Sequence, residues 1–215
     1  PSRAMLLSGN VNHMAGIGIQ AFRSENYGYE GSLSERVKII PEVLKENGYK
    51  FDDPREVVDI FEKKVAKFAG AKYGIAVDCC SHGLFLSLKW YKDVMKMITE
   101  HIHIPRYTYC SVPMQIKHAG FTPVFEDLTW SGIYQLRPFD IWDGAVRWTQ
   151  GMYKSGFHVI SFQLKKRIPI GRGGMILTND KKAADWFRKM TYDGRDLTIS
   201  YMDDDSVSYT HLRAH

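Results

Sequence analysis

The sequence contains few cysteines: Cys79, Cys80 and Cys110 are three among 215 residues, and two of them are adjacent. An odd number with this spacing argues against a disulfide framework and favours reduced thiols. Adjacent cysteines without a Cys-x-x-Cys spacing are poorly placed to chelate one ion. We therefore expect no metal site in this protein.

Long apolar runs are also missing. No stretch approaches the ~20 apolar residues that a membrane-spanning helix needs, and no signal-peptide pattern opens the sequence. The sequence therefore predicts a cytoplasmic location and no membrane partner.

A patch of one charge sign is absent as well. The formal net charge of +5 comes from 29 lysines and arginines interleaved with 24 acidic residues. No RNA- or DNA-binding signature accompanies it, so we expect no nucleic-acid partner, and an anionic ligand explains the balance equally well. His101 and His103 alternate before a strand-like stretch and are interpreted as its solvent face rather than as a ligand pair.

From residue 53 onward, helical patterns alternate with short apolar runs. A capping sequence at 53–56 predicts a helix whose apolar stripe is Val58, Phe61, Val65 and Phe68. Further helices are predicted around 84–95 and 110–118, and strands at 73–77, 102–104, 122–125, 139–142, 158–162 and 173–178. Repeated strand and helix units imply an α/β fold with a mostly parallel sheet covered on both faces.

Three regions differ in pattern. Residues 1–52 hold Gly, Asn and Ser clusters around one predicted helix at 34–46, and we interpret them as an N-terminal arm. Residues 53–206 form the predicted main domain. The last residues, 207–215, are similar to translated sequencing-adapter DNA, so we expect them not to belong to the fold and the chain to be a fragment.

Lys166 is the strongest candidate for chemistry. It ends the segment 161–166 (SFQLKK) and precedes the glycine-rich run 171–174 (GRGG). A lysine amine forms Schiff bases with carbonyl compounds, and this position suits such a role. Considered alone, the run from Lys165 to Arg167 is more typical of a solvated basic patch.

The segment around Lys166 resembles the pyridoxal-phosphate lysine region of the nucleotide-sugar aminotransferases of the DegT/StrS type. In that family Ser-Phe precedes the lysine and Gly-x-Gly-Gly follows it. Segments 61–77, 104–127 and 141–145 resemble further family motifs in the same order. The resemblance runs from about residue 53 to residue 195, and an ordered series of motifs is more specific than any one of them.

The resemblance implies the large domain of a fold type I pyridoxal-phosphate enzyme, a three-layer α/β sandwich whose C-terminal small domain is missing here. It also implies the cofactor pyridoxal 5'-phosphate and a homodimer. The implied reaction transfers an amino group, usually from glutamate, to a nucleotide-linked keto-sugar, in cell-surface polysaccharide biosynthesis.

The resemblance implies Lys166 as the catalytic residue and a cofactor site made of Cys80, Ser81, Tyr109, Asp143, Ser161 and Lys166. Asp143 would pair with the pyridine nitrogen, which makes the ring an electron sink. Tyr109 would stack on the ring, with Tyr107 as the competing register. The serines would bind the phosphate, Ser81 at a helix N-terminus. The structural alternatives are helix capping for Asp143 and Ser81 and a plain strand-end role for Ser161.

Three positions depart from the family pattern. Cys80 replaces a glycine, Val146 replaces a histidine or glutamine near the cofactor hydroxyl, and Arg172 replaces an acid. Gln163 could compensate for Val146, and an added cation at Arg172 would suit a phosphate-bearing substrate.

Two other functions remain open at the level of the sequence. The first is the related sugar dehydratase, in which histidine replaces the lysine, and Lys166 argues against it. The second is a noncatalytic regulatory or assembly protein that retains the fold, which the departures at Cys80, Val146 and Arg172 favour.

Overall fold

The computed structural model describes residues 56–191, together with positions 43, 46–48 and 50. The chain divides between Ile60 and Phe61 into two compact units. Almost all of the predicted N-terminal arm, the predicted cap at 53–55, the end of the predicted main domain at 192–206 and the predicted adapter-like tail at 207–215 lie outside the described residues.

Strand and helix alternate along the described chain, as predicted. The helices are α1 (Glu56–Ala69), α2 (Cys80–Lys89), α3 (Ser111–His118) and α4 (Lys181–Thr191), with a π-helical turn at Trp90–Val94. The strands are β1 (Tyr73–Val77), β2 (His101–Pro105), β3 (Thr122–Glu126), β4 (Tyr134–Gln135), β5 (Ile141–Asp143), β6 (Phe157–Ser161) and β7 (Gly174–Thr178). None of these helices has the length and apolar character of a membrane-spanning segment.

The buried face of α1 differs from the predicted stripe. Val58 and Phe68 are exposed, and the buried residues are Glu62, Val65, Ala66 and Ala69. The two alanines allow close packing, and Glu62 Oε1 accepts a hydrogen bond of 2.7 Å from the backbone N–H of Ala76 in β1. A buried hydrogen bond to a strand therefore helps to set the rotation of this helix.

The prediction of a mostly parallel sheet is wrong, because the main sheet is mixed. Its strand order is β1-β7-β6-β5-β4, and only β5 and β6 are parallel. A parallel connection needs a long crossover, usually a helix, whereas antiparallel strands do not. No helix lies between β6 and β7, so residues 162–173 return the chain in the opposite direction.

Strands β2 and β3 form a separate parallel pair. Backbone hydrogen bonds of 2.8 and 3.1 Å between His103 and Arg137 join β2 to the segment that follows β4. Strands β1 and β6 are both antiparallel to β7, so they run in the same direction. Strand β5 is parallel to β6 and therefore shares this direction. Strand β4 is antiparallel to β5, and β2 is antiparallel to the segment that follows β4, so β2 shares it too. The carboxyl ends of these four strands therefore face one edge.

Apolar side chains pack on both faces of the main sheet. Val159 and Ile176 belong to a cluster with residues of α2 and α4, while Ile160 and Met175 belong to a second cluster with residues of α1. Successive strand residues point to opposite faces, so β6 and β7 each contribute to both clusters. The α/β class is thus confirmed for the described residues.

Candidate functional site

The predicted site residues lie where the strands end. Residues 78–81 follow β1, Asp143 ends β5 and Ser161 ends β6. Val77 and Ser161 both pair with Gly174 at the start of β7, one on each side. A Cβ on Gly174 would lie 2.6 Å from the backbone nitrogen of Cys80, so the beginning of α2 comes within a close contact of the sheet.

Asp143 is the best-organised carboxylate of this edge. It is 6% exposed, Tyr134 donates its hydroxyl proton to Oδ2 at 2.6 Å, and the N–H of Ala145 donates to Oδ1 at 2.9 Å. The hydroxyl of Tyr134 also contacts that of Thr108. Burial raises the pKa of Asp143, while these two hydrogen bonds and the charge of Lys166 oppose the rise.

Lys166 lies in the loop that connects β6 to β7. Its backbone N–H donates to the carbonyl of Gln163 at 2.8 Å, and its side chain is half-buried whereas Lys165 and Arg167 are exposed. Its positive charge lowers the pKa of both Asp143 and Cys80 against the effect of burial. Lys166 therefore lies within electrostatic reach of these two candidates.

Ser81 lies at the N-terminus of α2 and contacts a residue that the sequence analysis missed. Its Oγ is 2.7 Å from Oγ of Ser111, the first residue of α3. The residues before the two helices, Cys79 and Cys110, make no side-chain capping hydrogen bond. Backbone N–H groups at these helix starts are the kind of donors that bind phosphate.

The thiol of Cys80 is held in its neutral form. Burial, followed by the nearby carboxylate of Asp143, raises the pKa of Cys80 well above its usual value. A neutral thiol at this position presents no charge to an anion at the start of α2.

The two tyrosine candidates lie at the surface. Tyr109 is 68% exposed and Tyr107 is 79% exposed, so neither register is favoured by burial. The Trp130 indole donates to the backbone carbonyl of Tyr107 at 2.8 Å. Thr108, between them, points inward to Tyr134, which holds this segment at the same edge as Asp143.

The remaining candidates have few contacts. Ser161 Oγ accepts a long hydrogen bond of 3.4 Å from the N–H of Gln163. Val146 is 44% exposed, and a guanidinium nitrogen of Arg172 lies 4.0 Å from a carboxylate oxygen of Asp78. Two of the three departures from the family pattern, Val146 and Arg172, are thus surface positions.

Sequence reasoning missed Thr108, Ser111 and Tyr134. Ser111 carried a usable signal, because a serine at a predicted helix start is a common anion ligand. Tyr134 lies in a two-residue strand without periodicity, and only the pairing of Tyr134 with Asp143 brings the two together.

A cavity of about 430 Å³ lies apart from these residues. It is bordered by Thr99, His101, His103, Glu126, Gln135, Arg137 and Pro138. His103 Nδ1 is 2.7 Å from a carboxylate oxygen of Glu126, which also pairs with Arg137. The charges around the cavity are therefore already paired with each other, and it contains none of the predicted site residues.

Comparisons with known proteins identify relatives for about half of the chain. Residues 34–138 match the model of the DegT/DnrJ/EryC1/StrS aminotransferase family. The chain is 37% identical over 97 residues to the spore coat polysaccharide biosynthesis protein SpsC of Bacillus subtilis. A shorter stretch of 57 residues is 46% identical to an uncharacterized sulfatase, PB10D8.02c, of Schizosaccharomyces pombe. These alignments cover 44% and 23% of this chain, but only 23% and 10% of the two relatives.

Solved structures share the fold. The sugar aminotransferase CalS13 from Micromonospora echinospora matches with a TM-score of 0.60 at 16% identity, over 77% of this chain and 57% of that one. DesI, solved with its TDP-sugar product, matches with a TM-score of 0.53 at 20% identity, over 74% and 50%. The resemblance drawn from the sequence is thereby confirmed, and the chain spans about half the length of these aminotransferases.

Proposed function

Because residues 34–138 match the DegT/DnrJ/EryC1/StrS aminotransferase family, we propose that this chain is part of a pyridoxal-phosphate-dependent sugar aminotransferase. In this proposal residues 53–206 form the cofactor-binding large domain and residues 1–52 an arm. The amino group would pass from an amino acid to a keto-sugar linked to a nucleotide, and glutamate is the donor that the family resemblance implies.

The observation that carries the proposal is the buried, hydrogen-bonded carboxylate at the end of β5. Asp143 is buried and receives donors from Tyr134 and Ala145, and the charge of Lys166 acts on it. A buried carboxylate within electrostatic reach of an amine, at the carboxyl ends of strands, is the arrangement expected of a ligand site in an α/β sheet.

The donor set fits pyridoxal 5'-phosphate. Burial disfavours an isolated charge on Asp143, so a cation such as a protonated ring nitrogen would find a suitable partner there. The uncapped start of α2, with Ser81 and Ser111, offers donors to a phosphate. Gly174 leaves room that a Cβ would occupy against the backbone of Cys80.

Pyridoxal phosphate, when bound, supplies an electron sink that stabilises negative charge on the substrate carbon. Lys166 would hold the cofactor and then move a proton to and from the reacting carbon with its amine. Asp143 would keep the ring nitrogen protonated, with Tyr134 and Ala145 fixing the carboxylate. Ser81 and Ser161 would bind the phosphate, and Tyr109 would cover the ring after turning inward from its exposed position.

The substrate class rests on the relatives and on one residue of this chain. DesI was solved with a TDP-sugar product, and SpsC is named for spore coat polysaccharide biosynthesis. The exposed cation Arg172, beside the same edge, would suit the phosphates of a nucleotide-linked sugar. A homodimer, as the family resemblance implies, would complete the site from a second copy.

Borohydride trapping tests the proposal directly. The purified chain is incubated with pyridoxal phosphate and reduced, and peptide mass mapping then locates the modified lysine. We expect a stoichiometric adduct on Lys166, because Lys166 is half-buried and its charge acts on Asp143, whereas Lys165 and Arg167 are exposed.

Matched variants decide between the neighbouring lysines. Lys166→Arg should abolish the specific adduct while Lys165→Arg retains it, since arginine keeps the charge but forms no Schiff base. An adduct that is lost in Lys165→Arg and kept in Lys166→Arg, or labelling scattered over surface lysines, would contradict the assignment. Binding of the cofactor without any half-reaction with glutamate would favour the noncatalytic alternative.

A further inference from the structure

Three side chains with reactive or titratable groups meet where β1 turns into α2. Asp78, Cys79 and His82 place one donor atom each within 4.8 Å of the others, the only such group in the described part of the chain. His82 Nδ1 is 2.6 Å from Oδ1 of Asp78. The proposed amino transfer uses none of these side chains.

The group is charged in a defined way. The hydrogen bond to Asp78, followed by that to Cys79, raises the pKa of His82 to about 10, so the ring is an imidazolium at neutral pH. Burial raises the pKa of the Cys79 thiol, but hydrogen bonds from the side chain and backbone of His82 outweigh it, and the net pKa is lowered. Cys79 also precedes the first turn of α2, where the positive end of the helix favours an anion.

The same three residue types could hold a metal ion, but their charges oppose this. A protonated imidazole has no free lone pair to give to a cation. The guanidinium of Arg172, 4.0 Å from Asp78, adds a second positive charge beside the group. The arrangement is therefore suited to a thiolate paired with an imidazolium.

We propose that Cys79 is a nucleophilic thiol and the oxidation-sensitive modification site of this chain, with peroxides as its reactants. The thiolate attacks one peroxide oxygen, so that an S–O bond forms as the O–O bond breaks. Sulfur is oxidised to a sulfenic acid, the peroxide is reduced, and the leaving hydroxide takes the proton of His82 to become water. Asp78 positions the ring and stabilises its cationic form.

Cysteine labelling on the full chain tests this inference without any cofactor. Iodoacetamide is applied across pH 5–10, and peptide mass mapping gives the rate for each cysteine. We expect Cys79 to react about 10-fold faster than Cys110 near pH 6.5, with a rate midpoint below that of an ordinary thiol. Cys110 is a matched internal reference, because it is also the residue before a helix and lies outside the charged group.

Hydrogen peroxide with dimedone trapping should give an adduct at Cys79 before Cys110. His82→Gln should raise the midpoint of the Cys79 rate profile and remove its advantage at low pH, whereas His118→Gln, a change at an exposed histidine of α3, should not. Cys80 reports folding in each variant, because its partly buried thiol, whose pKa is raised, should label slowly in the folded chain.

Two outcomes would overturn the inference. Equal rates for Cys79 and Cys110, with Cys80 still protected, would show that the group does not activate the thiol. Protection of Cys79 by micromolar zinc at neutral pH would show a metal site in its place.

Discussion

Asp143 is the residue whose surroundings leave the least freedom for change. A buried carboxylate without donors is costly, and here Tyr134 and Ala145 supply one donor to each oxygen. Tyr134 is itself buried, and burial followed by the charge of Asp143 raises its pKa, so it remains a donor throughout the neutral range. The pair therefore acts as one unit in stability.

Removing the hydroxyl of Tyr134 should expose this dependence. We expect Tyr134→Phe to lower the free energy of unfolding by about 1–3 kcal/mol, because a buried carboxylate loses a donor. Denaturant unfolding of both proteins measures the difference. Tyr153→Phe is the control, since its hydroxyl donates to the uncharged carbonyl of Gly156 at 3.2 Å and should cost about 1 kcal/mol or less. An equal loss in both variants would contradict the special role of Tyr134.

Single residues were predictable from sequence where local order decides their position. The segment ending in Lys166 and the strand ending in Asp143 could be located, because a strand end fixes where the following side chain lies. The partners of Asp143 could not, since Tyr134 and Thr108 reach it only through strand pairing and a loop. Roles for Tyr109 and Ser161 stay predictions, because they depend on ligand contacts.

At the scale of elements, the start of α2 is fixed by its approach to β7. Gly174 faces the backbone of Cys79 and Cys80 on one side and the carbonyl of Ile160 on the other. Backbone atoms on both sides cannot rotate away as a side chain can. The glycine is therefore required for the spacing between the sheet and the helix end that would bind phosphate.

Gly174→Ala should disturb this spacing. A Cβ there would lie 2.6 Å from the nitrogen of Cys80 and 2.8 Å from the oxygen of Ile160, so we expect a loss of about 1–3 kcal/mol in unfolding free energy. Alkylation of Cys80 should also become faster as the helix start moves. Gly151→Ala, which meets no atom within 4 Å and has φ of +64°, should cost about 1 kcal/mol and leave Cys80 protected. Unchanged protection of Cys80 in Gly174→Ala would argue against this account.

Element positions were more predictable than element faces. Most strands begin within a residue or two of their predicted starts, because short apolar runs between turns mark them well. The buried face of α1 was displaced from the apolar stripe, since Glu62 binds the backbone of β1 and Ala66 allows closer packing than a large side chain. Met95, at the end of the helix predicted around 84–95, is exposed and follows the π-helical turn at Trp90–Val94, which changes the helical register.

At the scale of the whole molecule, strand direction could not be inferred from apolar runs. A fully buried strand such as β7 has the same composition whether its neighbours are parallel or antiparallel. The missing helical pattern between residues 162 and 173 was the available signal for a reversal. The α/β class depended only on the alternation of elements and was therefore predictable.

The stability of the molecule should depend on pH through His158. This side chain is fully buried in β6, and both ring nitrogens lack a hydrogen-bond partner among the described residues. Burial, followed by the charges of Arg147 and Lys154, lowers the pKa of His158 to about 4. Protonation is thus disfavoured in the folded state, while the unfolded chain takes up a proton near pH 6.5.

The direction in which stability changes with pH follows from this difference between the folded and unfolded pKa of His158. Above pH 6.5, His158 is unprotonated in both states, so it does not affect the free energy of unfolding. Between pH 6.5 and 4 only the unfolded state binds the proton, so the free energy of unfolding falls by up to about 3 kcal/mol. Denaturant unfolding as a function of pH measures the slope. His158→Leu should flatten it in this range, whereas His118→Leu at an exposed position should leave it in place. A slope that persists in His158→Leu would assign the acid sensitivity elsewhere.

The contact between Ser81 and Ser111 has a consequence for cooperativity. α2 follows a strand of the main sheet and α3 follows a strand of the separate β2–β3 pair, so the two serines belong to parts of the molecule that are hydrogen-bonded through few backbone groups. An anion held by both helix starts would add a link between those parts. Ligand binding should then strengthen the coupling between those parts and make amide hydrogen exchange in β2 and β3 follow that of the main sheet.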